Sequence, residues 1–347
     1  MTTGQPTTYR DAGVDIDAMN DAVLRMKEHV RSTFNSSVLT DVGAFGGMYA
    51  PDLRALEDPV LVASIDGVGT KVKVAALAGR HNTIGADLVS HCVNDILVQG
   101  ARPLFFLDYF ATGKLDPEVC EQVVSGVAAG CRAAGCALLG GETAEMPGLY
   151  PDGEYDLAGT IVGIVERSQI IDGRQITAGD VVLGVASAGL HTNGYSLARH
   201  ILFDVTGLTT DATPAALGGA TVGDALLAPH RCYAPSVLPL LPSGVVKGIA
   251  HITGGGFYDN IPRILPSDCS VNLERRLWTV PPIFTLIQDL GMVPDTEMFR
   301  TFNMGIGLVL IVERTAADEV VAKLGEAGDA AGIIGEVVRG GRDVNVL

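Results

Sequence analysis

Positive charge is scarce in this sequence. Only 24 of the 347 residues are Lys or Arg, against 40 Asp or Glu, so the formal net charge is −16 with all seven histidines neutral. Binding to nucleic acid or to anionic lipid depends mainly on cationic side chains. The composition therefore argues against a nucleic-acid-binding or membrane-surface protein. An anionic ligand would have to be held by a local device such as a metal ion, a lysine or a helix N-terminus.

Cysteine pairs and long apolar runs are also lacking. The six cysteines include no C-x-x-C pair, and most lie among Ala, Val and Leu, where a free thiol packs as a small hydrophobe. Neither a disulfide framework nor a zinc site is predicted. The first twenty residues contain no basic segment followed by an apolar one, and the most apolar stretch, residues 305–312, is too short to cross a bilayer. We therefore expect a cytoplasmic location.

What is abundant is glycine, with 43 residues and no G-X-Y period, which excludes collagen and indicates many tight turns. The length corresponds to about two domains. Strand-like and helix-like segments alternate, which predicts an α/β (α+β) fold of two α/β domains. The expected division is a flexible segment at 1–58, a first domain at 59–170 and a second at 175–347. The β-branched run at 60–65 does not alternate, so it is expected to be a strand buried on both faces.

A first candidate site follows that strand. Asp66 is followed by Gly67, Gly69, Thr70 and Lys71. Glycines let backbone N–H groups approach anion oxygens, and a lysine adds charge, so this loop could bind phosphate and a metal ion. It is not a Walker A loop. A plain strand-to-helix turn with a capping aspartate explains the same residues.

A second candidate is the helix predicted over residues 83–99. Its apolar residues cover more than half of the helix, leaving a narrow polar arc of Asp87, His91, Asn94 and Asp95. Buried carboxylates need partners, and a divalent cation is one of them. The alternative is a thin solvated stripe whose polar groups bond to neighbouring backbone.

Three further glycine-rich turns carry polar residues. Glu142 follows a short strand and two glycines, a placement like that of Asp66 at the end of its own strand. Acids at the strand ends of one α/β sheet tend to converge on the crevice where such folds bind ligands. His191 precedes a helix and could carry a proton near neutral pH, or simply belong to a capping turn. Three bare amides, at Gly254, Gly255 and Gly256, favour close ligand approach. His29, His81, His200 and His230 have no such context and are expected to be structural or exposed.

Several longer strings resemble the phosphoribosylformylglycinamidine cyclo-ligase family, also called aminoimidazole ribonucleotide synthetases. They occur in order over nearly the whole chain, and the longer ones are specific. The strings are YRDAGVD (9–15), DGVGTK (66–71), CVNDI (92–96) with GA (100–101), DYFATG (108–113), GGETAEMPG (140–148), HTNGYS (191–196), HITGGGF (251–257) and RTFNMG (300–305).

The resemblance implies ATP-dependent closure of formylglycinamidine ribonucleotide to aminoimidazole ribonucleotide in purine biosynthesis, with ADP and phosphate as products. It implies ATP and Mg²⁺ as cofactors and leaves a monovalent cation open. It also implies a homodimer in which the N-terminal sheets pair into a barrel, a C-terminal sheet covered by helices, and an N-terminal segment that closes over ATP.

The same resemblance implies residue roles. Metal ligands would be Asp66 and Asp95, with Glu142 as a further ligand and Asp224 reaching across from the second domain. Catalytic residues would be His191, Lys71 and Asp95. Residues that bind ATP or substrate would be Lys27, Gly46, Gly47, Gly67, Gly69, Thr70, Asn94, Gly254, Gly255 and Gly256.

Other interpretations change the substrate or the class of protein. Selenophosphate synthetases, thiamine-phosphate kinases and the related amidotransferase-synthase belong to the same superfamily. A selenophosphate synthetase normally carries a reactive Cys or selenocysteine near its N-terminus, and no cysteine precedes Cys92. The glutamine-dependent synthase would have a different string at the Asp66 loop. A non-catalytic nucleotide-binding or assembly subunit is a different class, and ATP hydrolysis that requires the ribonucleotide substrate would distinguish the enzyme from it.

Overall fold

The computed structural model describes residues 8–347, so the first seven residues of the predicted segment 1–58 lie outside the described part. The N-terminal segment contributes one helix, α1 (Ile16–Arg31), which begins where the Asp15 carboxylate accepts hydrogen bonds from the N–H groups of Asp17 and Ala18. This is an ordinary N-cap, which satisfies backbone donors that have no partner inside the helix. Its apolar face packs on a helix of the first domain.

Four strands form the N-terminal sheet in the order β1-β4-β2-β3, with β4 antiparallel to β1 and β2, and β2 parallel to β3. The carboxyl ends of β1, β2 and β3 therefore share one edge. Three helices cover one face. The elements are β1 (Pro59–Gly67), α2 (Lys71–Ala78), α3 (Ile84–Leu97), β2 (Arg102–Thr112), α4 (Pro117–Ala134), β3 (Ala137–Glu145) and β4 (Tyr155–Glu166).

The other face of this sheet has no covering layer within residues 8–347. Leu61 and Ile65 of β1 are 65% and 72% exposed, and Leu107 and Tyr109 of β2 continue the apolar surface. The expectation that the 60–65 strand is buried on both faces is therefore wrong for this chain, because burial alternates along β1. The β-branched run lies on a sheet that presents one apolar face to the outside.

Six strands form the C-terminal sheet in the order β10-β7-β9-β5-β8-β6, antiparallel except for the β10–β7 pair. Every residue of β8 (Ile306–Val312), which lies between β5 and β6, is buried. The elements are β5 (Val181–Ala186), α5 (Tyr195–Arg199) with a π-helical turn (His200–Val205), α6 (Val222–Leu226), α7 (Ala234–Val237), β6 (Val246–His251), α8 (Gly256–Asn260), β7 (Cys269–Leu273), α9 (Pro282–Gly291), α10 (Asp295–Thr301), β8 (Ile306–Val312), α11 (Ala317–Glu326), β9 (Ala331–Arg339) and β10 (Val344–Val346).

The two sheets thus belong to a mixed α/β fold, as predicted. All strands of the first sheet lie within 59–170 and all strands of the second within 175–347, while the domain boundaries themselves stay a prediction. Within residues 8–347, every helix is too short or too polar to span a bilayer. All six cysteines are free, and five of them are buried.

Candidate functional site at the junction of the two sheets

The structure brings the carboxylates of Asp66 and Asp95 to one imidazole. Nε2 of His91 lies 2.7 Å from Oδ2 of Asp66 and 3.8 Å from Oδ2 of Asp95. His91 and Asp95 share one face of α3 because they are four residues apart, and Asp66 ends the adjacent strand β1. The hydroxyl of Ser64 donates to Asp95 at 3.2 Å. Two predicted metal ligands from separate stretches therefore meet.

Charge holds these acids ionised in spite of burial. Burial works to raise the pKa of Asp66, but the hydrogen bond and the charge of His91 bring that pKa below its usual value. For Asp95, burial is likewise opposed, chiefly by the hydrogen bond from His251, and the pKa is lowered. Burial alone would lower the pKa of His91, but Asp66 and Asp95 raise it. The site is a negatively charged pair of carboxylates held by histidines.

Residues of the second domain complete the cluster. Nδ1 of His251 lies 2.8 Å from Oδ1 of Asp95, and Nε2 of His251 lies 3.1 Å from Nε2 of His230. The Thr192 hydroxyl lies 2.6 Å from Nδ1 of His91 and 3.3 Å from Nδ1 of His230. A continuous series of hydrogen-bonding contacts therefore joins Asp66 to Asp95 through the second domain.

His191, predicted as a catalytic residue, lies beside this series. Its ring stacks on that of His230 with centroids 4.0 Å apart, its Nε2 accepts from the Ala188 N–H at 3.2 Å, and its buried Nδ1 has no hydrogen-bond partner. Burial, together with neighbouring positive charge, lowers the pKa of His191 well below its usual value. The imidazole is therefore neutral at pH 7.

His230 is a buried member of the cluster, although sequence analysis treated it as structural or exposed. Its surroundings in the sequence, LAPHRC, carry no pattern that could have indicated this.

Lys71 and Asn94 join the domains. The fully buried Lys71 ammonium pairs with Asp87 at 2.8 Å and donates to the carbonyls of His191 and Ala228. The buried Asn94 amide donates to the Arg231 carbonyl, and its oxygen accepts from the Tyr233 N–H. In this structure both side chains have their hydrogen-bonding groups directed to protein, so contact with a phosphate or with ATP stays a prediction for them. Thr70 is half-buried, with its hydroxyl 3.2 Å from that of Ser196.

A cavity lies at the β3 edge of the first sheet. It measures about 680 Å³ and lies between α1, β2, β3 and the loop at 41–47. Gly46, Gly47, Glu142 and Asp108 line it. A Cβ on Gly47 would lie 2.4 Å from Cγ of Leu139, so only glycine lets the loop approach β3 this closely, whereas Gly46 faces open space.

Lys27 lies on α1, close enough to Asp41 at the mouth of this cavity for its charge to act on that carboxylate. Arg31 chiefly, with a smaller effect of Lys27, holds the pKa of Asp41 below its usual range. The volume of the cavity is within the usual range of small-molecule sites. Gly46 and Gly47 thus line this cavity, and Lys27 lies near Asp41, another of its lining residues.

Asp108 is a candidate that sequence analysis did not assign to any role. It faces the helices from β2, in one row of paired residues with Asp66, Gly159 and Gly141 across the sheet. A Cβ at Gly141 would lie 2.1 Å from Oδ1 of Asp108, so the second glycine of the GGET string leaves room for this carboxylate. Burial raises the pKa of Asp108 to about 7. The pairing of that string with β2 could not be seen in the sequence.

Glu142 and Asp224 do not join Asp66 and Asp95. Glu142 pairs with Tyr109 and, by the alternation of a strand, faces away from the side on which Asp66 and Asp108 lie. The Asp224 carboxylate accepts from Arg80, beyond the C-terminal end of α2, at 2.7 Å and from the Thr221 N–H in a capping box. These contacts lower the pKa of Asp224 to about 2, with Arg80 as the main cause. Metal ligation by either residue stays a prediction.

The three glycines after His251 have different surroundings. A Cβ on Gly256 would lie 1.9 Å from the Phe299 carbonyl oxygen, and one on Gly255 would lie 2.6 Å from Asp259, so close packing already accounts for both. At Gly254 the nearest atom would be Oδ1 of Asn193 at 3.4 Å. Gly69 has φ +71° with open space around it, and Gly67 is bonded through its N–H to Oδ1 of Asp66. Ligand contact at these positions is untested.

Family models match both parts of the chain. Residues 50–165 match the model "AIR synthase related protein, N-terminal domain", and residues 177–346 match the corresponding C-terminal domain. These matches and the two-sheet fold define the class as the AIR synthase related proteins. Among curated proteins, the phosphoribosylformylglycinamidine cyclo-ligase of Trichlorobacter lovleyi is 55% identical over 330 residues, which cover 95% of this chain and 94% of the relative. The chain belongs to the phosphoribosylformylglycinamidine cyclo-ligase family.

Solved structures share the fold at much lower identity. A thiamine-monophosphate kinase from Stenotrophomonas maltophilia has a TM-score of 0.69 and 17% identity, covering 94% of this chain and 95% of that one. Hydrogenase maturation protein HypE in complex with ATP has a TM-score of 0.59 and 19% identity, covering 97% and 88%. At these identities the likeness shows the fold alone.

Proposed function

We propose that this chain closes formylglycinamidine ribonucleotide to aminoimidazole ribonucleotide, consuming ATP and releasing ADP and phosphate, in purine biosynthesis. The observation that carries the proposal is the meeting of Asp66 and Asp95 on His91 in a chain 55% identical to a curated cyclo-ligase. The alternative is a non-catalytic nucleotide-binding subunit, which would show no ADP formation that depends on the ribonucleotide.

The chemical difficulty lies in the leaving group. An amide carbonyl oxygen leaves poorly, so ATP phosphorylates it first and ADP departs. The amidine nitrogen of the same substrate then attacks that carbon, and the oxygen leaves with the phosphoryl group as phosphate. Since the attack is intramolecular, orientation of the substrate supplies much of the rate. The protein mainly has to position the reactants and neutralise charge on the transferring phosphoryl group.

Asp66 and Asp95 would hold Mg²⁺. Carboxylate oxygens are the ligands this ion prefers, and the low pKa values of both acids keep them ionised. A bound Mg²⁺ would neutralise charge on the phosphates. Asp95 would thereby have its predicted catalytic role, and Glu142 and Asp224 stay predictions as further ligands.

The nucleotide would occupy the cavity at the β3 edge. Lys27 and the loop with Gly46 and Gly47 would close over it, which is the role predicted for segment 1–58. Gly67, Gly69 and Thr70, which follow Asp66, would contact the phosphates. The ring of His191 and the amide of Gly254 would lie on the substrate side, with Gly255 and Gly256 shaping the turn. Lys71 and Asn94 would act by fixing the second domain against α3.

Association into a homodimer belongs to the same proposal. The uncovered apolar face of the N-terminal sheet supports pairing with a second copy, and two such sheets would form the predicted barrel. The domain division at 59–170 and 175–347, the cytoplasmic location and a monovalent-cation requirement are further parts of the proposal. Free, mostly buried cysteines are in keeping with a reducing compartment.

The test is ADP formation by the purified chain with Mg²⁺–ATP, measured with and without formylglycinamidine ribonucleotide. We expect ADP only when the ribonucleotide is present, with aminoimidazole ribonucleotide formed in equal amount. Asp66→Asn and Asp95→Asn should each lower kcat by roughly 100-fold or more with the fold retained. The matched control is Asp204→Asn, which removes a carboxylate paired with His200 at four-residue spacing on an exposed turn. Substrate-independent hydrolysis, or full turnover in Asp95→Asn, would contradict the proposal.

A further inference from the structure

We propose that Glu145 is a positioning residue for the nucleotide. Its carboxylate fixes the start of α1, so that α1 forms a stationary wall of the cavity, and within residues 8–58 closure over ATP is confined to the loop tip at 43–46. The inference rests on the proposed function and deepens it, because it names the part of the N-terminal segment that moves and the residue that holds the rest. We call Glu145 and Pro147, together with residues 13–15, the α1 anchor.

Both carboxylate oxygens of Glu145 are directed to backbone donors from distant parts of the chain. Oε2 accepts from the Asp15 N–H at 2.8 Å, and Oε1 accepts from the Leu115 N–H at 2.7 Å. Hydrogen bonds to a charged acceptor are stronger than those between neutral groups. Glu145 is the last residue of β3, so one side chain ties the residue before α1 and the turn before α4 to a strand that borders the cavity.

Gly13 and Pro147 form the second contact of the anchor. Gly13 has φ +93°, which favours glycine, and a Cβ there would lie 3.0 Å from Cβ of Pro147, so the chain packs directly on that ring. The Asp15 side chain begins α1 as its N-cap, while its backbone N–H is bound by Glu145. The strings YRDAGVD and GGETAEMPG, which are distant in the sequence, therefore lie against each other.

The opposite end of α1 is held as well. The buried Thr33 hydroxyl accepts from the Leu138 N–H at 2.8 Å and donates to the Val30 carbonyl at 2.7 Å, which joins the end of the helix to β3. Between its ends α1 packs on α4. The wall that α1 gives to the cavity is therefore fixed at both ends, and it consists of Met19, Val23, Met26 and Val30.

The loop tip at 43–46 is built differently. A backbone hydrogen bond from Leu39 to Met48, at 2.9 Å, closes the base of the loop, but the N–H groups of 43–46 have no hydrogen-bond partner within residues 8–347. Gly43 has φ +101° with open space around it, and Phe45 is fully exposed. Segments with so few contacts change conformation at a low cost in free energy. The tip can therefore move while α1 stays in place.

Loss of the anchor should affect the two substrates differently. Lys27 belongs to α1, so a freed helix start lowers the fraction of chains in which the cavity is complete, and the apparent affinity for ATP falls with that fraction. His191 and Gly254, which would contact the ribonucleotide, belong to the second domain. Binding of the ribonucleotide should therefore stay as it is.

Glu145→Ala tests the anchor through the split between the two KM values. We expect KM for ATP to rise roughly 10-fold, with kcat and KM for the ribonucleotide changed by less than about 2-fold. Glu145→Gln keeps one accepting oxygen but turns an NH₂ group towards the other backbone N–H. Its KM for ATP should therefore lie between those of the parent and Glu145→Ala.

The matched control is Glu166→Ala. The Glu166 carboxylate accepts from the backbone N–H groups of Glu57 and Asp58 at 2.8 and 3.1 Å, so it also ties the N-terminal segment to the sheet. It does so beside Pro59, where β1 begins, at the opposite end of the sheet from Glu145. Glu166→Ala should leave KM for ATP at the value of the parent.

Hydrogen exchange separates the fixed part from the moving part without any turnover. In the parent, α1 should exchange slowly with and without a non-hydrolysable ATP analogue and Mg²⁺, whereas residues 43–46 should exchange fast until the analogue is added. Glu145→Ala should speed exchange at the Asp15 N–H on the order of 10-fold or more and leave residues 43–46 unchanged. Circular dichroism checks the fold of each variant.

Four results would overturn the inference: an unchanged KM for ATP in Glu145→Ala, an equal rise in both KM values, the same effect in Glu166→Ala, or exchange in α1 of the parent as fast as at 43–46. If Glu145→Ala does not fold, Glu145→Gln decides, and an unchanged KM for ATP with unchanged exchange at Asp15 overturns the inference. Failure of the inference leaves ribonucleotide-dependent ADP formation intact. Failure of the proposed function removes that ADP formation but leaves the exchange comparison to decide the inference, so the two are distinguishable.

Discussion

At the scale of a single residue, His191 could act as a proton carrier or as a group that positions the substrate. Its backbone has φ +60°, a conformation rare outside glycine, and its Nδ1 is buried without a partner. An unsatisfied buried nitrogen costs free energy, on the order of 1–3 kcal/mol. Because Nε2 of the neutral ring accepts from the Ala188 N–H, Nδ1 carries the proton, and a substrate group that accepts from Nδ1 would recover that cost on binding.

Substitution His191→Gln should distinguish a positioning group from a proton carrier. Burial holds the pKa of His191 well below its usual value, so the ring is neutral in the folded protein at pH 7 and above and contributes no ionisation there. We expect kcat/KM for the ribonucleotide to fall by roughly 10- to 100-fold, by the same factor at every pH. The measurement is a kcat/KM profile of both proteins. Loss of one limb of the profile in the variant would instead assign proton transfer to His191.

Asp108 should make stability fall as the pH rises. Its pKa is about 7 in the folded chain, above the usual value of roughly 4, because its surroundings at the cavity desolvate it. Between these two values the folded chain holds a proton that the unfolded chain has lost. Stability is therefore lost progressively from about pH 4 to pH 7, and the full penalty is present above pH 7.

Urea unfolding of Asp108→Asn at pH 5 and pH 8 tests this. The variant should be more stable than the parent at pH 8 by on the order of 1–2 kcal/mol, a discounted figure because the side chain keeps some contact with solvent in the cavity. At pH 5 the difference should be smaller. Glu142→Gln, at the same cavity, is the control. Equal pH dependence in Asp108→Asn and the parent would disprove the assignment.

At the scale of elements, α3 could be predicted from the sequence and its surroundings could not. The apolar period predicted a helix over 83–99 with a polar arc, and the structure has α3 at Ile84–Leu97 with Asp87, His91 and Asn94 buried. The period is a local property. Besides nearer partners such as Lys71 and Asp66, the arc is bound by residues of the second domain more than 90 positions away, which no local pattern reports: Thr192, His230, Arg231, Tyr233 and His251.

For β1, the sequence predicted the strand correctly but predicted its burial wrongly. Its β-branched run was expected to be covered on both faces, because apolar residues at consecutive positions normally are. Only one face is covered by the helices of this chain. A sheet face reserved for a second copy has the same composition as one covered internally, so periodicity cannot tell the two apart. For the candidate site, the sequence predicted which acids and histidines could take part. It could not predict the roles of His230 and Asp108, because those depend on tertiary contacts.

The coupling of α2 to α3 depends on the buried pair Lys71–Asp87. Lys71→Met should destabilise the protein by roughly 3–5 kcal/mol, because it leaves the buried Asp87 carboxylate without its counter-charge. Lys71→Met/Asp87→Asn should recover most of this loss, since Asn keeps an oxygen for the His230 N–H. Urea unfolding measures both. Lys73→Met is the control on the same helix, where the partly exposed pair with Glu154 should contribute less than about 1 kcal/mol.

The same variants test the predicted catalytic role of Lys71. If the lysine acts only by joining the domains, the double variant should regain substrate-dependent ADP formation together with its stability. A double variant that is stable but inactive would restore Lys71 to the reaction itself.

At the scale of the whole molecule, the uncovered sheet face is the surface through which we propose that two copies associate. Contiguous apolar surface of this kind is unusual on a monomer and is typical of an interface. The carboxyl ends of β1 to β3, with Asp66 and the cavity, border this face, so a partner sheet would lie against the edge that carries the site. Association and catalysis would then depend on the same strands.

Ile65→Asp should convert the protein from a dimer to a monomer, because it places an unpaired carboxylate in the centre of an apolar contact. Light scattering after gel filtration measures the mass of both forms. The control is Leu77→Asp, which adds the same charge at a leucine that is 63% exposed on α2, away from the sheet face, against 72% for Ile65. Leu77→Asp should stay dimeric. If the parent is already a monomer, or if Ile65→Asp remains a dimer, the copies do not pair through this sheet. The apolar face would then need another partner, since its exposure in a single chain would still have to be explained.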